Sequence, residues 1–385
     1  MSRAKFLTIS VVLLALVFLL LDPRNLDFAS APVLFVPTHP SSLITSSTSP
    51  QQSSHTRAAA AAKMAATAHP SDCKFLVRRM EPHDESSVDC SAYGMARRQN
   101  GPVRIHYGMM VGYETDVLEV ALHEIYPVVD SIILVETVIS HSLRKKEAVF
   151  WKTMESRVQR FKDKIQHKVL TLESLGRLKD GWAVEKAQRN SIIKVIFERR
   201  KNISLQVGDI IVGNADVDEI INRKTLAKWK YCEAKGPFPL RFFLLQMRFS
   251  FRCLEHTHLS SYGCTVSYVE KGDTGNSDLY RLRSFCRKNI DFKSGKNLTE
   301  GDARVLLRDV SWHMSSFGSV KDVLRKNQNS PHRFLDHLPS EDKIRRAIQD
   351  CDNYGRPMTK VSLPLEALPV FVQQNECYFK RIGWL

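Results

Sequence analysis

Apolar residues recur along this chain at two different periods, and the change of period separates strands from helices. Residues 103–110 (VRIHYGMM) read as a strand, and residues 114–125 follow as a helix with Val117, Leu118, Val120, Ala121 and Leu122 on its apolar side. The unbroken run SIILVE at 131–136 has the make-up of a strand buried on both faces, as in a parallel sheet. Residues 164–170 form a third strand candidate. Over 184–200, Ala187, Ser191, Ile192, Val195 and Ile196 share a helix face. The segment GDIIVGNADVDEI then carries a strand at 209–212 into an acidic turn. Strands alternating with helices predict an α/β domain on a mostly parallel sheet. Ligands of such sheets bind beyond the carboxyl ends of the strands, where the acidic turn falls.

The N-terminus follows a different pattern. Residues 6–21 are almost entirely apolar, are preceded by Arg3 and Lys5, and are closed by Asp22-Pro23-Arg24. As a helix this run spans about 24 Å, a length suited to thin early-secretory membranes. The basic residues ahead of it predict a cytosolic N-terminus and a lumenal remainder. Ala29-Ser30-Ala31 supplies a small-x-small site, so a cleaved signal peptide is the rival reading. Residues 30–70, rich in Ser, Thr, Ala, Pro and Gln, cannot bury enough surface to offset the entropy of ordering, and are expected to form a disordered stem. The expected order is a cytosolic tail at 1–5, a transmembrane signal anchor at 6–22, a flexible stem at 23–72 and a lumenal domain at 73–385.

Composition changes this picture little. The formal charge of +15 is spread along the chain with no basic tail and no zinc-finger or RNA-binding signature, so nucleic acid is not an expected partner. The eight cysteines contain no C-x-x-C and all lie beyond the apolar N-terminus, which fits disulfides in a lumenal domain while leaving their pairing open. Asn202-Ile203-Ser204 and Asn297-Leu298-Thr299 are weak candidates for N-glycosylation.

The chemistry concentrates in Asp216-Val217-Asp218-Glu219. Three carboxylates so close repel one another unless a cation or hydrogen bonds compensate them. A divalent metal bridging them to a diphosphate is one solution, and an acidic surface turn or helix cap is the other. Arg189 lies four residues after Glu185, which suits a simple helical ion pair or, with Asn190 beside it, a contact to a nucleotide diphosphate. His313 is a candidate late metal ligand or diphosphate contact, against a packed histidine. Trp312 is suited to stack on a sugar or to fill the core. Glu136, at the end of a buried strand, is a candidate nucleotide contact or general base, as Glu219 is for the base.

Several blocks in order resemble glycosyltransferase family 17, the family of the β-1,4-mannosyl-glycoprotein 4-β-N-acetylglucosaminyltransferase. These are LHEIYPVVDSIILVET from Leu122, RFKDKIQH from Arg160, EKAQRN from Glu185, GDIIVGNADVDEI from Gly208, SWHMSSFGS from Ser311 and LPVFVQQN from Leu368. The resemblance covers about residues 105–380. It implies a Rossmann-like, GT-A-like nucleotide-sugar fold and a UDP-N-acetylglucosamine donor. It also implies Mn²⁺ or a similar divalent cation, inversion at the anomeric carbon, and a glycoprotein N-glycan acceptor. A single-pass type II place in the Golgi or early secretory pathway goes with it. The family's D-x-D-type motif falls on Asp216 and Asp218, with Glu219 adjacent. Asn214-Ala215 and Met314 depart from the family pattern, the latter in the region expected to meet the acceptor. A transferase with another donor or acceptor, and a non-catalytic glycan-binding relative, are the alternatives.

Overall fold

The computed structural model describes residue 73 and residues 81–148, 154–176, 178–200, 204–233, 240–272, 310–330 and 338–385. All belong to the compact unit His69–Leu385. The tail, anchor and stem readings, and both candidate glycosylation asparagines, lie outside the described residues. Among those that are described, no helix is long and apolar enough to cross a membrane.

Strands β1 (Ala96–Arg97) and β7 (Cys232–Glu233) form a small separate sheet. The main sheet contains β2 (Ile105–Met110), β3 (Ser131–Thr137), β4 (Ile165–Leu170), β5 (Ile210–Asp216), β6 (Glu219–Ile220), β8 (Leu240–Arg248), β9 (Cys253–Thr265), β10 (Ser311–Ser315) and β11 (Thr359–Lys360). Its order is β4-β3-β2-β5-β9-β8-β10-β6, with β11 paired to β9. The expected strands and helices up to the acidic turn are present, within a few residues at their ends. A mostly parallel sheet is not. The β4-β3-β2-β5 block is parallel, as is β8 with β10, but β9 runs antiparallel to β5, β8 and β11, and β6 antiparallel to β10. The architecture is a mixed α/β sheet. The β8–β9 hairpin makes the difference, and its turn, Phe249-Ser250-Phe251-Arg252, contains none of the Gly, Pro, Asn or Asp that announce a turn. Phe249 itself takes the left-handed conformation there (φ 67).

Alternation along each strand sorts its side chains between two cores. Ile105, Tyr107, Ile132, Leu134, Ile210 and Val212 face the layer of α1 (Thr115–Ile125), with Phe371, Phe379 and Trp384 from the C-terminal segment. Ile133, Val135 and Ile211 face the opposite layer, formed by α2 (Gly181–Glu198) through Ile192, Ile193, Val195 and Ile196. Helix α2 begins where the Asp180 carboxylate accepts the Ala183 N–H at 2.9 Å, a sequence-local stop on the preceding loop. It lies very close to β2. A Cβ built on Gly108 would sit 2.0 Å from Ile192 Cγ2, so only glycine allows this approach. Gly108→Ala is therefore expected to cost about 1–3 kcal/mol by overpacking, seen as a lower urea midpoint. Trimming the partner with Ile192→Val should recover part of the loss, and an unshifted Gly108→Ala midpoint would contradict the packing.

Among the described residues, three disulfides join distant segments: Cys73–Cys377, Cys90–Cys232 and Cys253–Cys351. Cys264 is also disulfide-bonded, and no described cysteine is free.

Candidate active site

A cleft of about 270 Å³ opens at the carboxyl ends of β2, β3 and β5. Thr137 and Asp216 end β3 and β5, and the segments following the strands supply Val111, Glu114, His141, Lys146 and Asp218. Glu185, Gln188 and Arg189 come from α2, His313 from β10, and Lys326 from α3 (Val320–Asn329). The acidic turn owes its shape to residue 217. Val217 is buried in the core below, so its neighbours Asp216 and Asp218 both present themselves to the cleft. Asp218 also closes the sheet, its carbonyl accepting from Met314 N at 2.7 Å.

Each aspartate has its own cation. Lys326 Nζ donates to Asp218 Oδ2 at 2.6 Å and approaches Glu114 Oε1 at 3.0 Å, while His313 Nε2 lies 3.5 Å from Asp218 Oδ2. Burial alone would raise the Asp218 pKa, but Lys326 and His313 overcome it and hold the carboxyl well below the usual carboxylate range. Burial works the other way on His313 and is again outweighed, chiefly by Asp218, so its imidazole holds a proton more firmly than a free one. Across the cleft, Arg189 Nη2 donates to Asp216 Oδ1 at 2.8 Å and its Nε to Glu185 Oε1 at 2.9 Å. The helical ion pair and a contact into the cleft thus coexist in one guanidinium.

Gln188 orders the floor. Its Nε2 donates to the Val135 carbonyl at 2.9 Å, so its Oε1 must accept, and His141 Nε2, 2.9 Å away, carries the proton of that bond. A short hairpin places His141 and Lys146. Ile139 bridges Lys145, Ser140 N donates to Arg144 O, and Leu143 takes a positive φ of 61° to close the turn.

Asp216, Asp218, Arg189 and His313 therefore line a single cleft. Other expected site residues are elsewhere. Glu136 has the parity of Ile132 and Leu134, so it points into the α1 layer, where it is fully buried and hydrogen-bonded to His167 Nε2 at 2.8 Å. Glu219 is buried one step along from Asp218, on the strand that pairs with His313, and takes no part in the lining. Asn190 is turned about 100° from Arg189 around the helix and also stays out. Trp312 fills the core, its indole N–H donating to the Ala367 carbonyl at 3.0 Å. The cleft adds Glu185, which the sequence marks only as the helical partner of Arg189, and Glu114, Lys146 and Lys326, none of which stands out in the sequence.

Among the described residues, no three His, Cys, Asp or Glu side chains are gathered closely enough to hold a metal ion. Asp216 and Asp218 are answered instead by Arg189, Lys326 and His313, which a metal ion would have to displace. Asp216, Asp218 and His313 offer the oxygen and imidazole donors that a divalent transition ion takes.

Comparison with known proteins bears on the cleft directly. No curated protein matches the chain. The family model described as Glycosyltransferase family 17 matches residues 67–284. That stretch contains Glu114, Lys146, Arg189 and the acidic turn, while His313 and Lys326 lie beyond it. Because the match spans more than half of the 385 residues, with the acidic turn inside it, the chain belongs to glycosyltransferase family 17.

Proposed function

We propose that this cleft moves N-acetylglucosamine from UDP-N-acetylglucosamine onto a mannose of a glycoprotein N-glycan, by inverting β-1,4 transfer of the bisecting type, in a GT-A-like fold. The observation that carries the reading is the meeting of Asp216, Asp218, Arg189 and His313 at the carboxyl ends of parallel strands in a family-17 chain. Asp216, Asp218 and His313 would hold Mn²⁺ or a similar divalent cation. When bound, that ion neutralises charge developing on the departing diphosphate.

The chain's own groups do the rest. Arg189, braced by Glu185, fixes the orientation of the Asp216 carboxylate and adds positive charge beside it. The acceptor hydroxyl attacks the anomeric carbon from the face opposite the diphosphate, and its proton passes to a carboxylate that reaches the cleft. Glu114 and Glu185 reach it; Glu219 and Glu136 do not. The disulfides suit an oxidising compartment, which supports a lumenal domain held to Golgi or early-secretory membranes by the N-terminal anchor.

The test is to incubate the purified protein with UDP-N-acetylglucosamine, Mn²⁺ and defined N-glycans, and to read product mass and linkage. One added N-acetylhexosamine in β-1,4 linkage to mannose is expected, and it should vanish with a chelator. Transfer only from another UDP- or GDP-sugar would overturn the donor assignment, and glycan binding without release of UDP would overturn the enzyme reading.

A further inference from the structure

Among the described residues, Lys146, Arg189 and Lys326 line the cleft, and the last two are already answered by carboxylates. Arg189 is shared between Glu185 and Asp216, and Lys326 between Asp218 and Glu114. Lys146 differs. Its Nζ is buried and hydrogen-bonds to no described residue, lying only over the ring of Tyr113, 5.0 Å from the centroid. Burial lowers its pKa, and the fields of Glu136 and Glu114 only partly offset that. An ammonium has three donors, and a buried one with none satisfied costs stability. The structure holds it there all the same. Lys146 N donates to Val138 O at 3.0 Å, and the hairpin beneath it includes the left-handed Leu143. A buried ammonium at the carboxyl end of β3 whose donors no described group accepts is placed to meet an anion that arrives from outside.

We propose that Lys146 is a contact for the donor's diphosphate, a nucleoside diphosphate being the chemical class that Nζ awaits. This rests on the nucleotide-sugar reading of the same cleft. A lysine is a compact point charge suited to phosphate oxygens. Because its partner is the ligand, it adds to ligand affinity what it withholds from the stability of the free protein.

That trade gives the test a double readout. The full-length protein and its Lys146→Met variant are compared for binding of UDP and of uridine by calorimetry at fixed Mn²⁺, and for thermal unfolding without ligand. Lys146→Met should bind UDP about ten- to a hundredfold more weakly and uridine as before, and should melt no lower than the parent. Unchanged UDP affinity would overturn the proposal. So would a lower melting temperature with both affinities reduced, because that is the mark of a structural lysine. A parent protein that binds neither UDP nor uridine would instead remove the nucleotide-sugar reading itself, and this proposal with it. An equal loss of a sulfated or sialylated acceptor, with UDP affinity intact, would assign Lys146 to the acceptor and likewise refute the diphosphate role.

Discussion

Asp218→Ala is expected to abolish transfer, by at least about 10²- to 10³-fold, and to destabilise the protein at the same time. Removing this carboxylate leaves Lys326, whose Nζ lies 2.6 Å from it, with Glu114 at 3.0 Å as its remaining partner in a partly enclosed site. Breaking a fully buried pair costs about 3–5 kcal/mol. Glu114 still answers Lys326, which keeps 28% of its side-chain surface, so about 1–2 kcal/mol is the expected figure. The second cycle arm separates the two effects. Lys326→Met alone leaves Asp218 with His313 as its cation, but Asp218→Ala with Lys326→Met removes both members of the pair and should recover part of the stability and none of the activity. Denaturant midpoints and initial transfer rates on the four proteins are the measurement. Wild-type turnover by Asp218→Ala would refute the role of the acidic turn, and additive losses in the double variant would refute the pairing.

The largest expected pH effect comes from a residue outside the cleft. His123 lies in α1, buried, stacked on Phe371 with ring centroids 3.8 Å apart and edge-on to Phe161. Burial, helped by Arg160 and Arg223, pushes its pKa down from 6.5 to about 3. Between those values the unfolded chain takes up a proton that the folded one refuses. Stability from the neutral ring is therefore complete above the unfolded value and drains away as pH falls toward the folded one. Each pH unit in that window is worth about 1.4 kcal/mol, so roughly 3 kcal/mol should be lost through His123 alone by pH 4. Urea titrations at pH 7 and pH 4 test this. His123→Phe keeps an aromatic ring against Phe371 and should show a distinctly smaller drop than the parent. Equal drops in both proteins would sink the assignment.

The sequence was most informative where structure is local. The strands of the parallel block and helices α1 and α2 appear where the periods of apolar residues place them, because which face is buried is written into the spacing itself. The acidic turn is legible for a similar reason: carboxylates at 216, 218 and 219 repel one another wherever the chain goes, and that announces a site. Turn chemistry was weak at 249–252, where Ser250 alone is a turn residue and Phe249 adopts a left-handed conformation that its side chain does not favour, and so the antiparallel half of the sheet was not foreseen.

The partners were beyond local reading. Lys326 is 108 residues from the aspartate it answers, and Glu136 lies two residues beyond Leu134 with the same inward parity. Taken by itself, the sequence determined where strands and helices form and that negative charge accumulates after one strand, since both depend on neighbours along the chain. Only tertiary packing decided which carboxylates meet in one cleft and which cation answers each, leaving Lys146 with no hydrogen-bond partner among the described residues. Those are contacts between segments brought together by burial, and spacing along the chain holds no record of them.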